Sequence, residues 1–357
     1  MSSSIIIGSN KMLERVAKMA STSTESFGAA ARRYVFRALI QERPHLGRVW
    51  LAMSEQEKFI LKDVPPAMFS HFHESIWPQL RDCQNVRLPV DTIQDQRVFV
   101  YKYLDDDFLD LVKKRIPIKA RKEILKASLR GIVELHERDV VHLDIKPDNI
   151  MVDYYHHHHE DENGGDMTIK HVQLIDLENA AHLPKGRCIK GMLAGNDNWR
   201  SPEGHFRGEL NKPTDIFSFG AVCIYAMLGR VVFGSDDDFR KFESLGVFPH
   251  VIRLQRQVSY FGTREGLKGL MTHVGDQEFN CQVLRWLWDD RAAEYHPYRP
   301  FSTWSELDLS TNADTDTDID TTAFTDLVQR MMDLDPARRI TARQALEHPW
   351  FKDIETV

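Results

Sequence analysis

Short apolar runs dominate the first third of the chain and predict β-strands. Residues 49–52 and 58–62 form two such runs, and the polar residues 54–57 separate them, so this stretch is predicted to be a β-hairpin. Residues 68–77 predict a short helix. Two further strands are predicted over residues 86–90 and 97–104, the second of which leads into three consecutive aspartates.

Longer periodic segments follow. Residues 120–137 carry apolar side chains at helical spacing, which predicts an amphipathic helix. Short strands are predicted over residues 150–152 and 172–175. A strongly apolar helix is predicted to begin at Asp215, and its run of 13 apolar residues over 216–228 is too short to span a bilayer.

Length and composition narrow the class of protein. A chain of 357 residues exceeds one small core and fits two lobes. A net charge of −7 and a pI near 6.1 argue against general binding to nucleic acid or to an anionic membrane. The four cysteines are far apart and the first residues lack a charged leader, so we expect an intracellular protein of the cytoplasm and/or nucleus, without a signal peptide or membrane insertion.

One loop carries three groups suited to phosphoryl transfer. Residues 141–150 read VHLDIKPDNI, in which Asp144, Lys146 and Asn149 lie at fixed offsets after a short apolar strand. Phosphoryl transfer requires an acceptor for the hydroxyl proton, a cation near the moving phosphate and an oxygen ligand for a metal ion. These three residues can supply one each, although Asp, Asn and Pro are also common in loops that merely turn the chain.

This loop resembles the catalytic loop of eukaryotic protein kinases, which reads His-x-Asp-x-Lys-x-x-Asn. The resemblance covers about residues 34 to 351 and rests on motifs in family order, at Lys62, Glu74, Asp144, Lys146, Asn149, Asp176, Glu203, Asp215 and Arg339. It implies an α+β, two-lobed protein-kinase-like fold with a small β-rich N-lobe and a larger, mainly helical C-lobe. The implied boundaries are 1–28 for a flexible tail, 29–104 for the N-lobe, and 105–357 for the C-lobe with inserts near 153–170 and 303–322.

The resemblance also assigns the nucleotide-binding residues. Lys62 is expected to hold the α- and β-phosphates, and Glu74 is expected to be the buried carboxylate that fixes Lys62, although the interval between them is short for the family. The hinge is expected near residues 101–107. There the backbone of Lys102 and Leu104 would contact adenine, Tyr101 would gate the pocket behind it and Asp107 could reach the ribose.

The remaining family positions concern the metal and the activation segment. Asp176 would bind Mg²⁺, or Mn²⁺, together with Asn149. Glu203 and Arg339 are expected to form a buried ion pair, and Asp215 is expected to accept hydrogen bonds from the catalytic-loop backbone. The side-chain amide of Asn196 could bridge the catalytic Asp and Lys.

Three departures from the family pattern affect the expected function. Gly47 is the single glycine of the phosphate-covering stretch 41–49, Glu178 replaces the glycine of Asp-Phe-Gly, and Leu143 replaces an arginine that often pairs with a phosphorylated activation segment. The resemblance implies ATP-dependent transfer of the γ-phosphate to Ser/Thr hydroxyls of proteins, with ATP and a protein substrate as partners. The alternative is a catalytically weak or inactive pseudokinase that acts as a binding scaffold.

A small-molecule phosphotransferase with a related core ranks third, because it would be expected to lack the motif at residues 201–203. Two inserts interrupt the implied C-lobe, and the sequence assigns neither of them a role. The four histidines 156–159 cannot all face one metal ion, and the acidic stretch around residues 314–320 lacks the Gly and Glu of an EF-hand, so it is predicted to be a disordered loop.

Overall fold

A computed structural model describes residues 25–44, 47–156, 167–275, 278–304 and 320–354. Most of the predicted tail, His157–His159 and the acidic stretch 305–319 therefore lie outside the described residues. The chain divides into two compact units. The first comprises Met1–His73 and Leu88–Tyr103, and the second comprises Glu74–Arg87 and Leu104–Val357.

The first unit is built on a six-stranded antiparallel sheet with the strand order β1-β2-β3-β4-β6-β5. Its strands are β1 (Glu25–Phe27), β2 (Arg33–Arg43), β3 (Gly47–Ser54), β4 (Glu57–Asp63), β5 (Asp91–Ile93) and β6 (Val98–Lys102). The short helix α1 (Pro66–His71) packs on the sheet, where the rings of Phe69 and Phe99 stack 4.5 Å apart. Alternating residues such as Phe59 and Leu61 bury one face of the sheet.

The predicted hairpin is confirmed as β3 and β4, and the predicted strand over residues 97–104 is confirmed as β6. The strand predicted over residues 86–90 is wrong. Val86 forms an isolated bridge with Leu174, and Pro89 has no N–H with which to extend a ladder.

The second unit is mainly helical. Its helices are α2 (Phe108–Lys113), α3 (Ile118–Glu137), α4 (Pro202–His205), α5 (Lys212–Leu228), α6 (Asp237–Ser244), α7 (Pro249–Phe261), α8 (Arg264–His273), α9 (Glu278–Asp290), α10 (Thr321–Met331) and α11 (Ala342–Leu346). The strands β7 (Asp106–Asp107), β9 (Ile150–His156) and β10 (Met167–Leu174) form one small sheet, and β8 (Val140–Val141) pairs with β11 (Ala181–His182). Helix α5 is buried from Thr214 to Met227, which explains its continuous apolar sequence. Among the described residues, no helix combines the length and the apolar character needed to cross a membrane.

Residues Glu74–Arg87 belong to the second unit rather than to the first. The N–H of Leu174 donates to the carbonyl of Asn85, and the N–H of Arg87 donates back to the carbonyl of Leu174, each at 2.9 Å. The carboxylate of Glu134 accepts from the N–H groups of Gln84 and Asn85, at 3.2 and 3.0 Å. The predicted boundary at residue 104 therefore assigns to the N-lobe a segment that is hydrogen-bonded directly to the second unit.

Candidate active site

A buried carboxylate fixes the backbone of the loop at residues 142–149. Asp215, in the first turn of α5, is fully buried. Its two oxygens accept the N–H groups of His142 and Leu143, each at 2.8 Å, and His136 Nε2 lies 3.0 Å from Oδ2. Leu143 has a φ of 67°, so these two hydrogen bonds hold a backbone turn that a bulky residue seldom adopts. The loop is thus held in one conformation by an element distant in sequence.

The side chains of Asp144, Lys146 and Asn149 lie close together within this loop. Lys146 Nζ lies 3.3 Å from Asp144 Oδ2 and 3.3 Å from the carboxylate of Asp148. Asn149 Nδ2 donates to the carbonyl and to Oδ2 of Asp144, at 2.8 and 3.1 Å. The N–H of Asn196 donates to Asp144 Oδ1 at 2.9 Å, so both oxygens of this carboxylate are oriented.

The lysine of this group remains charged. Burial disfavours its ammonium form, but the carboxylates of Asp144 and Asp148 outweigh that effect and raise the pKa of Lys146. A protonated amine therefore lies beside the Asp144 carboxylate at neutral pH. That arrangement provides a proton acceptor and a cation within one hydrogen-bond length of each other.

The bridge from the side chain of Asn196 to both Asp144 and Lys146 was wrongly predicted, because that side chain contacts Asn198 and the backbone N–H contacts Asp144 alone of the two. The side-chain Oδ1 of Asn196 accepts the N–H of Asn198 at 3.0 Å, which closes a local turn. The contact to Asp144 comes from the Asn196 N–H. The sequence-based expectation identified the right residue and the wrong atom.

Asn149 and Asp176 are the candidate metal ligands. The Nδ2 of Asn149 faces two oxygens of Asp144, which fixes the orientation of the amide and leaves its Oδ1 as an oxygen ligand. Asp176 is half-buried and has a left-handed backbone, with φ 69° and ψ 42°. Amide and carboxylate oxygens are the donors that hard divalent cations prefer, so both residues fit a Mg²⁺ or Mn²⁺ ion.

The position after Leu177 does not require a glycine. Glu178 lies in the 3₁₀ turn Leu177–Asn179, its φ is negative, and only 2% of its surface is exposed. A residue with a side chain is therefore accommodated here without backbone strain.

The ion pair predicted between Glu203 and Arg339 is present and fully buried. Two parallel contacts of 2.7 Å join Nη1 to Oε1 and Nη2 to Oε2, and Thr214 Oγ1 donates to Oε1 at 3.0 Å. The Arg339 Nε donates to the carbonyl of Asp333 at 2.7 Å. Burial alone would raise the pKa of Glu203, but the charge and hydrogen bonds of Arg339 outweigh it and lower that pKa.

The segment between Asp176 and Glu203 is held by backbone and apolar contacts. Ile189 and Leu210 exchange hydrogen bonds of 3.1 and 2.7 Å, and the N–H of Gly191 donates to the carbonyl of Arg207 at 2.9 Å. The apolar cluster around Leu143 contains Val141, Leu143, Ala181, Leu183 and Leu210, with Ile189 and Ala194 packed against it. Leu143 therefore occupies the place of the family's arginine with an apolar contact to the same segment.

The nucleotide-binding candidates of the first unit lie on three strands. Lys62 is half-buried on β4 and stands opposite Val49 and Phe99 on the neighbouring strands. Lys102 is exposed at the end of β6. Gly47 begins β3 with a φ of 100°, and a Cβ there would collide with the carbonyl oxygen of Asp63. Gly47 is thus required by a close backbone approach within the unit itself.

Three further candidates lie in the second unit. Leu104 is one of them and is buried. Tyr101, which belongs to the first unit, is only 7% exposed. Asp107 caps α2 by accepting the N–H of Asp110 at 2.8 Å, and burial raises its pKa. The prediction that Glu74 is a buried carboxylate is wrong. Glu74 is exposed in the single π-helical turn Phe72–Ile76, because Phe72 and Ile76 take the buried face of that turn.

A group of basic residues near the end of the segment between Asp176 and Glu203 was not predicted from the sequence. Arg200 and His205 lie beside helix α7, which carries His250 and Arg253. Gln257 of α7 donates to the carbonyl of Arg200 at 2.8 Å, and α4, which ends at His205, packs against α7. The available signal was the spacing of three between His250 and Arg253, which places both on one face of a helix.

The anchored loop and the segment pinned by the buried ion pair define the class of fold, that of a protein kinase. A family model of the protein kinase domain matches residues 73–351, and the chain belongs to the protein kinase family. The match begins beyond β4, so the first four strands stand outside it.

Individual relatives are distant. The human dual specificity protein kinase CLK1 is 26% identical over 228 residues, which are 61% of this chain and 41% of that protein. A probable cyclin-dependent serine/threonine-protein kinase of Dictyostelium discoideum is 24% identical over 293 residues, 76% of this chain and 17% of that protein. The serine/threonine-protein kinase ssn3 of Aspergillus terreus is 24% identical over 338 residues, 86% and 73% of the two chains. The chain thus spans less than half the length of the first two relatives.

Proposed function

We propose that this protein transfers the γ-phosphate of ATP to Ser or Thr hydroxyls of protein substrates. The observation that carries the proposal is the convergence of Asp144, Lys146 and Asn149 on a loop anchored by Asp215. A carboxylate with both oxygens oriented is suited to accept the proton of an attacking hydroxyl. The charged lysine beside it is suited to offset the negative charge of the transferred phosphate.

The roles of the other residues follow the family pattern. Lys62 would hold the α- and β-phosphates, the backbone of Lys102 and Leu104 would contact adenine, and Asp107 would reach the ribose with its second carboxylate oxygen. Asn149 and Asp176 would hold the Mg²⁺ or Mn²⁺ ion, which when bound neutralises phosphate charge.

Lys146, two residues after Asp144, supports the choice of Ser/Thr over Tyr as acceptor. The relatives from Dictyostelium discoideum and Aspergillus terreus, described as serine/threonine-protein kinases, support it too. The negative charge of −7 gives no support to nucleic acid as a partner, and we place the protein in the cytoplasm and/or nucleus.

The second candidate function is a pseudokinase scaffold. The role of Gly47 favours it. The close approach of Asp63 already requires a glycine at this position, and residues 41–49 contain no other glycine that could contact a phosphate. The complete set of catalytic-loop residues opposes it.

Incubation of the full chain with labelled ATP and a mixed Ser/Thr peptide pool tests the choice between the two. Phosphate transfer to peptide or to the chain itself is expected, with label recovered on serine and threonine. An absence of label, together with an absence of nucleotide binding, would support the scaffold.

Nucleotide binding is expected to depend strongly on a divalent metal. Few glycine amides are available to cradle phosphates, so binding relies on Lys62 and on metal-mediated contacts to Asn149 and Asp176. ATP at millimolar concentration should raise the melting temperature only with Mg²⁺ or Mn²⁺, and Asp176→Asn should remove that rise without changing the melting temperature of the free protein. A rise of equal size in the presence of a chelator would show that Asp176 is not a metal ligand.

Activity is expected not to require phosphorylation of the activation segment. No threonine or tyrosine lies between Asp176 and Glu203, and the single serine, Ser201, is fully buried. Leu143 offers no cation for a phosphate and holds the segment by apolar packing instead. Phosphatase-treated protein should retain its full turnover. Loss of turnover on treatment, with recovery on rephosphorylation of Ser201, would contradict this expectation.

A further inference from the structure

A buried arginine lies at the end of the activation segment. This residue, Arg253, belongs to helix α7. His250 and Arg253 lie three residues apart on one face of the first turns of that helix. Arg253 donates to Asn198 Oδ1 from Nη2 and Nε, at 3.0 and 3.3 Å, and its guanidinium lies 4.8 Å from the centre of the Phe239 ring. The arginine is therefore fixed in direction by an amide and an aromatic face.

This arginine has no carboxylate partner. It is 9% exposed, and within the part of the chain that the structure describes no carboxylate oxygen lies within 4.0 Å of it. Asp197 and Glu243 act on it from a greater distance, and burial lowers its pKa. A buried guanidinium is normally paired with an anion, because desolvating its charge is costly. A neutral amide supplies little of that compensation.

A second group beside Arg253 lacks partners. Both ring nitrogens of His205 are buried and have no hydrogen-bond partner among the described residues. Burial, with help from Arg200 and Arg253, lowers the pKa of His205 to about 3, so its ring is neutral at pH 7 and can donate one hydrogen bond. Unpaired buried polar atoms are rare in native proteins and require an explanation.

Two of the nearby carboxylates are already engaged. Asp197 pairs with Arg200, whose Nε also donates to the carbonyl of Ala194 at 2.8 Å. Glu203 is taken by Arg339. The group formed by Arg200, His205, His250 and Arg253, called here the Arg253 cluster, therefore contains one guanidinium with no carboxylate in ion-pair contact among the described residues, and an unused hydrogen-bond donor at His205.

The cluster is close to the catalytic carboxylate. Asn198, which contacts Arg253, follows two residues after Asn196, whose N–H is bonded to Asp144. Two residues span at most about 7 Å along a chain. At the extended rise of about 3.3 Å per residue, that span corresponds to two to three residues of a substrate peptide.

We propose that the Arg253 cluster binds an anionic side chain of the substrate, so that the enzyme prefers an acidic or phosphorylated residue within about three positions of the acceptor hydroxyl. The inference rests on the proposed function for its meaning as substrate selection. The binding preference itself does not depend on turnover. Asp or Glu would supply a carboxylate, and a phosphorylated residue would supply the same chemistry with a larger charge.

The test is a set of fluorescent peptides with one central serine, in which Gln, Glu or phosphoserine occupies each position from three before to three after it. Binding to the full chain is measured by anisotropy and phosphorylation by kcat/KM. A Glu peptide is expected to bind on the order of 10-fold more tightly than its Gln counterpart at one of these positions, since charge-assisted hydrogen bonds are about twice as strong as neutral ones. Phosphoserine should match or exceed that ratio.

Variants locate the effect. Arg253→Gln keeps a donor for Asn198 but removes the charge, and it should bring the ratio close to 1, whereas Arg253→Lys should keep most of it. Arg240→Gln, at an exposed arginine of α6 that pairs with Asp237, is the matched control and should leave the ratio unchanged. A melting temperature for each variant shows whether it is folded.

Two outcomes would overturn the proposal. One is equal binding of Gln and Glu peptides by the wild type at every position. The other is a wild-type preference that Arg253→Gln retains in full while its melting temperature matches that of the wild type, because the charge of Arg253 would then play no part in binding. A preserved acidic preference without phosphate transfer to any peptide would support the binding site while contradicting the proposed function.

Discussion

Replacing Asp144 by asparagine is expected to lower kcat by a factor on the order of 10² to 10⁴, the usual contribution of a positioned general base. The substitution preserves the size of the side chain and removes its ability to take a proton. Lys146 retains Asp148 as a carboxylate partner at 3.3 Å, so the fold should tolerate the change. Turnover with labelled ATP and the melting temperature of the same preparation are the two measurements.

Asp148→Asn is the matched control for that experiment. Asp148 lies at the same 3.3 Å distance from Lys146 as Asp144 does, but it is more exposed and does not accept the N–H of Asn196. Its loss should reduce kcat several-fold at most. If the two variants lose activity equally, charge near Lys146 rather than proton acceptance by Asp144 accounts for the effect.

Arg339→Ala is expected to have the largest effect on stability, a loss of roughly 3–5 kcal/mol in the free energy of unfolding. The substitution strands the carboxylate of Glu203, of which 0% of the side chain is exposed, and leaves the carbonyl of Asp333 without its donor. For a domain of this size the melting temperature should fall on the order of 10 °C. Activity should fall as well, because Glu203 holds the end of the activation segment.

The neighbouring Arg338→Ala is the control, because Arg338 forms an exposed ion pair with Asp333 at 3.0 Å and such pairs contribute little. Equal melting temperatures for the wild type and Arg339→Ala would contradict the role assigned to the buried pair. Acidification offers a second check. Because the pKa of Glu203 is lowered in the folded protein, its stabilisation is present above the unfolded pKa near 4.3 and is lost as the pH falls toward the folded value.

Sequence alone predicted best what depends on short offsets. Asp144, Lys146 and Asn149 lie within six consecutive residues, and the structure brings their side chains together. The hairpin of β3 and β4 is local in the same sense, since its turn and its alternation lie within one stretch. The family and its fold followed from the order of such local motifs.

Features set by long-range packing could not be predicted in the same way. Nothing in the residues around Glu74 shows which face of its turn is buried, because that face is decided by contacts outside the turn. The bond from Asn196 depends on how the segment is placed against the catalytic loop, and a side-chain argument selected the wrong atom. The Arg253 cluster escaped notice because its members are separated by up to 53 positions in the sequence.

The course of residues Glu74–Arg87 determines how this protein can be divided. The chain passes between the two units at His73, at Arg87 and again at Tyr103, so no single cut yields two intact halves. A fragment starting at Leu104 would leave Leu174 without the carbonyl of Asn85 and Glu134 without its two N–H donors. It would also expose Gly131, where a Cβ would lie 2.7 Å from that same carbonyl oxygen. A fragment meant to fold as the second unit alone would have to include Glu74–Arg87, joined to Leu104 by a linker that replaces the strands β5 and β6.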